Sequence, residues 1–448
     1  MEKDKILSDA DYGSCKRGLE YFAADPAWRE EFLADPARAL AIFPDISDVY
    51  AAFKAIGMMR RAIPGDRENP YYGEYLRRFE AIGVFLEERL RQERFADQRL
   101  YEWNRIALRR VRLFTRELRS IPHFTYFPLI FELSDGCRVQ CPFCGLMAPP
   151  HRGDFRATGE NRALWREVLA ASGRVLGEIA ADSACYFATE PLDNPDFELL
   201  LGDFADCLGN FPQTTTALAA EEPERIRALI KLLGKERMRL AALRFSVRTL
   251  KGFRRMMAEY TPEELADVEL LFMNPESQMP LSDSGRARDL SSIKKERRRY
   301  SISCVAGFRV NMVRSAVAFM EPVLPSAEYP TGVRLIAEEP FADGESYEGI
   351  LRRFIARFAH DKLPDDVPIR LEPAVTVEEQ ERYLLLRGDG AELRLSGNLH
   401  LRRAVRRLQE DAVTLPELWR ELGIGSLLRE EVRRKLELLY SKGYLRLF

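Results

Sequence analysis

Three cysteines, Cys137, Cys141 and Cys144, stand at Cys-x3-Cys-x2-Cys spacing inside Phe131–Gly145, FELSDGCRVQCPFCG. A closed four-iron cluster usually takes four cysteine thiolates, so three thiols hold three irons and leave one iron open. An open metal position is where chemistry happens, by the logic of catalytic zinc. A structural zinc site is the competing reading; it wants a fourth Cys or His at close spacing, and only His151 is near. None of the four histidines pairs into metal spacing and no second cysteine group follows, so neither an auxiliary cluster nor a second metal is expected.

An open iron has to be held where a substrate can reach it, and the surrounding pattern says how. A strand-like run, Tyr126–Leu133, leads straight into the cysteines. Further strands are expected at Ala184–Ala188, Pro212–Ala217, Leu240–Val247 and Val268–Met273, alternating with helices at Ala163–Ala180, Asp196–Cys207, Glu222–Leu233 and Leu250–Glu259. Such alternation predicts an α/β fold with parallel strands and right-handed crossovers. Residues 1–120 read as a helical N-terminal region: Asp25-Pro26 and Asp35-Pro36 are helix starts, Pro64-Gly65-Asp66 is a break, and long helices cover Tyr72–Glu93 and Asp97–Arg119. The arginines of the last helix, Arg105, Arg109, Arg110, Arg112 and Arg116, read as a solvated face. After the fifth strand a charged loop, Ser277–Arg299, precedes a strand-like SISCVAGFRVNMV. A helix at Tyr347–His360 and a linker at Pro364–Pro368 follow.

The last segment, residues 365–448, has its own pattern. Short strands at Arg382–Leu386 and Glu392–Leu395 precede helices at Leu399–Gln409, Leu415–Leu422 and Arg429–Ser441, a winged-helix outline. Arg402, Arg403, Arg406 and Arg407 would suit DNA, but Glu410, Asp411, Glu417 and Glu421 crowd the same segment, so no clean basic face emerges. Globally, 68 basic against 70 acidic side chains leave a net charge of −2, without a field that draws nucleic acid or membrane. No apolar run reaches the ~18 residues of a membrane span. MEKDKILSDADYG lacks an apolar signal core, and seven cysteines are no disulfide framework, so a reducing, cytoplasmic location is expected.

The cysteine spacing and its leading strand resemble the radical S-adenosyl-L-methionine (SAM) superfamily. That resemblance implies one [4Fe-4S] cluster on Cys137, Cys141 and Cys144, and SAM chelated at the open iron. It implies a partial (β/α)6 barrel, placed at residues 121–345, with residues 346–364 as helix and linker. Phe143 matches the aromatic residue near the adenine. Ala188-Thr189-Glu190-Pro191 matches the Gly-Gly-Glu-Pro position, so Thr189 and Glu190 would contact the SAM amino group; an ammonium needs acceptors, and a strand-end carboxylate supplies them. Gln213, Thr214, Thr216, Arg244, Ser246 and Asn274 are further strand-end candidates, Arg244 for the SAM carboxylate and Ser246 for a ribose hydroxyl.

The segments CYFATEPLDNPDFE, FPQTTTA, LRFSVRTLKGF, YTPEELADVELLFMNPES and SGRAR, in this order, resemble one group within that superfamily. These are the peptide epimerases that mature ribosomally made peptides with nitrile-hydratase-like or nitrogen-fixation-type leaders. The resemblance covers most of Leu129–Gly332. It implies that a 5′-deoxyadenosyl radical takes a Cα hydrogen and that a thiol returns one to the other face, converting an L-residue to a D-residue. Cys304 matches the cysteine of a Cys-Val-Ser-Gly-Phe pattern and is the candidate donor; a small buried hydrophobe is its plain alternative. Cys185 is a weaker donor candidate, and Cys207 and Cys15 read as structural.

Two departures stand out. Glu321-Pro322-Val323 replaces a cysteine-bearing stretch of that group, and Arg138, Gln140 and Pro142 replace Ser, Gly and Trp in the cysteine loop. A crosslink, carbon–carbon or thioether, is the alternative outcome on a precursor peptide. A leader-binding partner without catalysis is the alternative of another class. WREEFLADPARALAIFPDISD resembles a leader-like helical unit, and the C-terminal segment resembles a leader-peptide recognition domain, in which an extended leader adds a strand to a sheet edge. The implied partners are a precursor peptide with its leader and an electron donor such as flavodoxin or ferredoxin.

Overall fold

The computed structural model describes residues 9–35, 70–114, 126–240, 242–290, 297–298 and 303–448, in a mixed α/β fold. Helix α1 (Asp9–Ala24) gives way to α2 (Pro26–Ala34) at Asp25. The break is chemical. The Asp25 carboxylate accepts from the Ala27 and Trp28 N–H groups, and Pro26 fills the first turn, where no backbone donor is needed. Pro64-Gly65-Asp66, Arg116 and the rest of the leader-like stretch after Asp35 lie outside the described residues.

Helices α3 (Pro70–Arg89) and α4 (Gln98–Arg112) follow, the second capped by Asp97. Arg110 of α4 corrects the expected solvated face. It is buried, with its guanidinium 2.5 Å from Glu321 Oε2 and 3.0 Å from Glu372 Oε1. Pairing with buried carboxylates offsets the cost of taking the guanidinium out of water.

The central region begins at β1 (Phe127–Glu132). A short antiparallel pair, β2 (Ser134–Asp135) with β3 (Gly153–Asp154), closes the cysteine loop between them. Then come α5 (Gly159–Leu176), α6 (Phe197–Leu208), β4 (Thr214–Thr216), α7 (Pro223–Met238), β5 (Leu243–Val247), α8 (Leu250–Glu259) and β6 (Glu269–Phe272). β4, β5 and β6 pair in parallel. The strand expected at Ala184–Ala188 reduces to one bridging position: Ala184 pairs in parallel with Ile130 of β1 on one side and with Gln213 on the other. Beyond it the ladder stops, and farther along the Ala188 N–H donates to the Glu132 carboxylate at 2.9 Å.

Within the loop after β6, β7 (Leu281–Ser282) pairs with β8 (Arg297–Arg298). Next, β9 (Val305–Asn311) lies parallel to β1 on the side away from Ala184, and β10 (Ala316–Pro322) and β11 (Val333–Pro340) extend that edge antiparallel. The parallel order is thus β6, β5, β4, Ala184, β1, β9. Side-chain alternation divides its faces. Leu243, Phe245 and Val247 of β5 are buried in the core with the helices, while Arg244 and Ser246 take the other face. On the helix side Trp165 meets Phe131 edge-on at 4.9 Å and donates its indole N–H to the Leu200 carbonyl at 3.0 Å. Burying each such aromatic contributes about 1.5–3 kcal/mol.

Helix α9 (Gly344–Phe358) packs on α5. The C-terminal segment starts with β12 (Ile369–Leu371), and β13 (Thr376–Glu379), β14 (Leu384–Arg387) and β15 (Glu392–Leu395) form an antiparallel sheet in that order. Helices α10 (Leu399–Glu410), α11 (Leu415–Glu421) and α12 (Ser426–Ser441) follow, and β16 (Leu445–Leu447) returns to pair with β12. Sequence pattern passed over β13, whose one partly buried apolar side chain is Val377.

Candidate functional site

The cysteine loop hangs from the carboxyl end of β1 and is tied at both ends. Gly136 enters it at φ +79°, and a Cβ there would lie 2.2 Å from the Pro150 carbonyl oxygen, so only glycine fits. The Cys137 N–H donates to the Pro149 carbonyl at 2.9 Å. Gln140 holds a positive φ of 45° while its side chain ties the two arms of the loop: the two Nε2 hydrogens are shared among the carbonyls of Cys137 at 2.7 Å, Pro149 at 2.8 Å and Ala148 at 3.1 Å. Backbone strain of this kind persists only where the surroundings over-determine it. The Cys144 N–H closes a tight turn onto the Cys141 carbonyl at 3.1 Å. Of the three departures in this loop, Gln140 thus has clear work; the backbone N–H of Arg138 donates to Asp193 Oδ2 at 2.7 Å, and the exposed Arg138 side chain reaches Asp154 at 3.7 Å.

Burial raises the Cys137 thiol, and it pushes Cys141 up to about 11; the Glu190 carboxylate adds to both, and Arg248 works the other way on Cys141. A bound cation reverses that balance, because a coordinating thiol is deprotonated outright. Among the described residues no three His, Cys, Asp or Glu side chains stand close enough to share one metal ion. A cluster makes a different demand, since each thiolate takes its own iron. The donor set fits: three thiols on one strapped loop, and beside them a buried guanidinium N–H, Arg286 Nη2, with no acceptor among the described residues. Phe143 is buried among Leu281, Ala287 and Met273, so it holds the loop against the segment after β6.

Glu190 is buried beside this loop. Its Oε1 accepts from the Thr216 hydroxyl at 2.6 Å and the Leu192 N–H at 3.1 Å, and its Oε2 accepts from the Ala217 N–H at 2.7 Å. Burial pushes its carboxyl up to about 7 against the pull of those three donors. Thr216, at the end of β4, is its partner; Thr214 shares that face but is buried one pleat earlier, and its hydroxyl makes no hydrogen bond to Glu190. Thr189 is half-buried next to Glu190. Ser246 lines a small cleft, open to solvent, at the carboxyl ends of β4 and β5, together with Ala217, Arg248 and Phe253. The structure therefore gathers Cys137, Cys141, Glu190, Arg248 and Ser246 at the carboxyl ends of the parallel strands.

Arg244 lies deeper on the same face as Ser246. It donates to the Tyr186 phenol oxygen, and its Nε donates to Thr215 Oγ1 at 3.0 Å. Tyr186 in turn donates to Gln213 Oε1 at 3.2 Å and stands 3.9 Å from the Cys304 sulfur. Burial raises the Cys304 thiol, which keeps it an S–H at neutral pH. Cys304 sits where β9 begins: its carbonyl accepts from the Phe127 N–H at 2.7 Å. That is the amino end of β1, and Cys137 follows the carboxyl end, about 17 Å along the strand. Tyr186 and Thr215 escaped sequence reading because their roles depend on which face of a two-residue alternation they take. Cys185 and Cys207 pack in and against the helix-side core, and the side chain of Cys15 is outside the described residues.

Asn274 is buried and donates to the Ala24 carbonyl at 3.2 Å and to Glu276 Oε2 at 3.0 Å, tying down the end of α1. Arg254 pairs with Asp25 at 2.7 Å, and Tyr21 meets Phe253 edge-on at 5.0 Å, so the α1–α2 hairpin docks beside α8 and the end of β6. Glu321 lies inside β10 and pairs with Arg110 and Arg334, while Val323 is buried beyond it. No helix among the described residues is long and apolar enough to cross a membrane.

No family model matches the chain. The uncharacterized protein y4wI of Sinorhizobium fredii is 32% identical to it over 288 residues, covering 62% of this chain and 55% of that protein. The chain thus spans about half the length of the curated relative it matches. Among solved structures, BtrN in complex with AdoMet and 2-DOIA is similar at 15% identity and a TM-score of 0.30, over 43% of this chain and 72% of that one. A likeness of that size bears on neither fold nor function.

Proposed function

We propose that the chain is a radical SAM enzyme that modifies a ribosomally made precursor peptide, with L-to-D epimerisation at Cα as the leading reaction. The observation that carries this reading is the strapped three-cysteine loop at the carboxyl end of a parallel strand, with the Glu190 carboxylate within electrostatic reach of two of its thiols. The parallel strands from β1 to β6 are read as a partial (β/α)6 barrel and the C-terminal segment as a winged-helix-like unit. The cluster and SAM, when bound, supply the radical that removes a Cα hydrogen.

The chain's own residues do the rest. Cys137, Cys141 and Cys144 hold the cluster. Glu190 and Thr189 receive the SAM ammonium, Ser246 a ribose hydroxyl, and Phe143 keeps the adenine side of the loop dry. Arg244 is drawn inward to Tyr186, so its role lies with the Tyr186–Cys304 group rather than with a strand-end carboxylate. Cys304, kept protonated by burial, returns a hydrogen atom from the side opposite the cluster, and the peptide must lie between the two ends of β1. The antiparallel sheet β13-β14-β15 offers open strand edges to which an extended leader could add. The partners are the precursor peptide and a flavodoxin or ferredoxin, in the cytoplasm. A crosslink on the same peptide, or binding without catalysis, are the alternatives.

Reconstituted enzyme, SAM, reductant and the precursor peptide encoded beside it should be incubated in deuterated water. Epimerisation by an exchangeable thiol adds one deuterium per inverted residue. A loss of two hydrogens with no deuterium uptake rejects epimerisation in favour of a crosslink. Cys304→Ala should abolish D-residue formation while SAM cleavage continues; undiminished D-residue would remove Cys304 from the mechanism.

A further inference from the structure

The turn carrying Cys141 and Cys144 is held from outside by one side chain that lies far along the sequence. Arg286 stands on a short 3-10 turn, Gly285–Asp289. Its backbone N–H donates to the Cys144 carbonyl at 2.9 Å, its Nε to the Cys141 carbonyl at 3.0 Å, and its Nη1 to the Ala148 carbonyl at 3.1 Å and Gln140 Oε1 at 3.3 Å. One residue therefore grips the loop at Cys141, at Cys144 and at Gln140 and Ala148 on either side of them. The approach is possible only because residue 285 is glycine: at φ +58° a Cβ would lie 2.4 Å from the Cys144 carbonyl oxygen.

Four contacts leave one arm of the guanidinium over. Nη2 is shielded from solvent and has no hydrogen-bond acceptor among the described residues. Nor does any carboxylate among them form an ion pair with Arg286. A buried donor left without a partner costs about 1–3 kcal/mol, more when charged, and such groups in native proteins call for a missing acceptor. An anionic acceptor beside Cys141 and Cys144 would satisfy it and would also balance the guanidinium charge. Three thiolates on iron meet that description, since each adds a negative charge and reduction adds another.

We propose that Arg286 is a positioning residue for the iron–sulfur cluster: it locks the Cys141–Cys144 turn and donates its Nη2–H to a sulfur of the cluster. This rests on reading the cysteine loop as an iron–sulfur site. Hydrogen bonds to cluster sulfurs and nearby positive charge stabilise the reduced, more negative state and so raise its potential. Arg286 thereby makes the cluster easier to reduce.

The test uses the full chain, reconstituted anaerobically with iron and sulfide, as wild type, Arg286→Lys and Arg286→Gln. Iron and acid-labile sulfide per chain, the EPR-monitored midpoint potential and far-UV circular dichroism are measured. Arg286→Lys keeps the charge without the fork; it should load iron within twofold of wild type, with the one-electron reduction equilibrium at least tenfold lower, about 59 mV more negative. Arg286→Gln should lose loading several-fold at unchanged helix content. Should Arg286→Gln not fold, the lysine variant still decides. Unchanged loading and potential in both variants overturns the proposal while leaving the cluster reading intact. A wild-type chain that takes up no cluster removes the cluster reading itself, and this proposal with it.

Discussion

Glu190 carries two opposed demands. Its carboxylate organises the end of β4 by accepting from Thr216, Ala217 and Leu192, yet burial lifts its titration to about pH 7. A carboxyl raised above its unfolded value binds its proton more tightly in the folded state. Its contribution to stability is present below the ordinary carboxylate range and is lost as pH rises toward 7. Metal-free wild type should therefore lose thermal stability between about pH 4.5 and 7. Glu190→Gln should flatten that slope, with a lower Tm at acid pH because an amide cannot accept all three bonds. Melting curves across this range check it, and an equal slope in both proteins would place the titration elsewhere. Glu190 was legible in the sequence through Thr-Glu-Pro after a strand; that its partner is Thr216 rather than Thr214, on the same face, follows only from where β4 ends against Glu190.

At the scale of elements, the cysteine loop is supported by parts distant in the chain. Gly285 lets the 3-10 turn touch the Cys144–Gly145 backbone. Gly285→Ala is expected to cost about 1–2 kcal/mol for the left-handed backbone alone, and more for the contact. Urea unfolding together with iron uptake should show both fall; wild-type stability would mean that the turn yields freely. The strands around the site were readable because their apolar runs are bounded by helices and turns. The reduction of Ala184–Ala188 to a single bridge was not, since where a strand leaves the ladder depends on what its N–H groups meet in the fold, as the Ala188 N–H meets Glu132. Nor was β9 beside β1, because pairing between segments so far apart leaves no local periodicity.

Across the whole molecule, a buried charge network joins the C-terminal segment to the central sheet. Arg110 of α4 meets Glu321 of β10 and Glu372; Arg446 of β16 pairs with Glu372 at 2.6 Å, and Arg334 of β11 with Glu321 at 3.0 Å. Burial opposes ionisation of Glu321, but Arg110, Arg334 and Arg446 overcome it and hold the carboxyl below its usual range. This is the opposite sign to Glu190: the contribution is present at neutral pH and lost as acid titrates the group. Glu321→Gln leaves buried guanidinium charge uncompensated and should cost about 3 kcal/mol or more, read by urea unfolding at neutral pH. A change below ~0.5 kcal/mol would show that solvent reaches the network.

The sequence by itself determined the chemistry-bearing residues whose identity is local: three thiols at a fixed spacing, a strand leading into them, an acid after the next strand, and the alternation of strands and helices. Local spacing suffices there because loop length and two- or 3.6-residue periods act over a few residues. Only the tertiary structure decided what meets what. It put Arg286 against the cysteine turn, Thr216 rather than Thr214 on Glu190, Arg244 on Tyr186, Cys304 at the far end of β1, and Arg110 inside the molecule. Each of these is a contact between segments tens to hundreds of residues apart, where burial and pairing of charge, rather than any pattern along the chain, set the outcome.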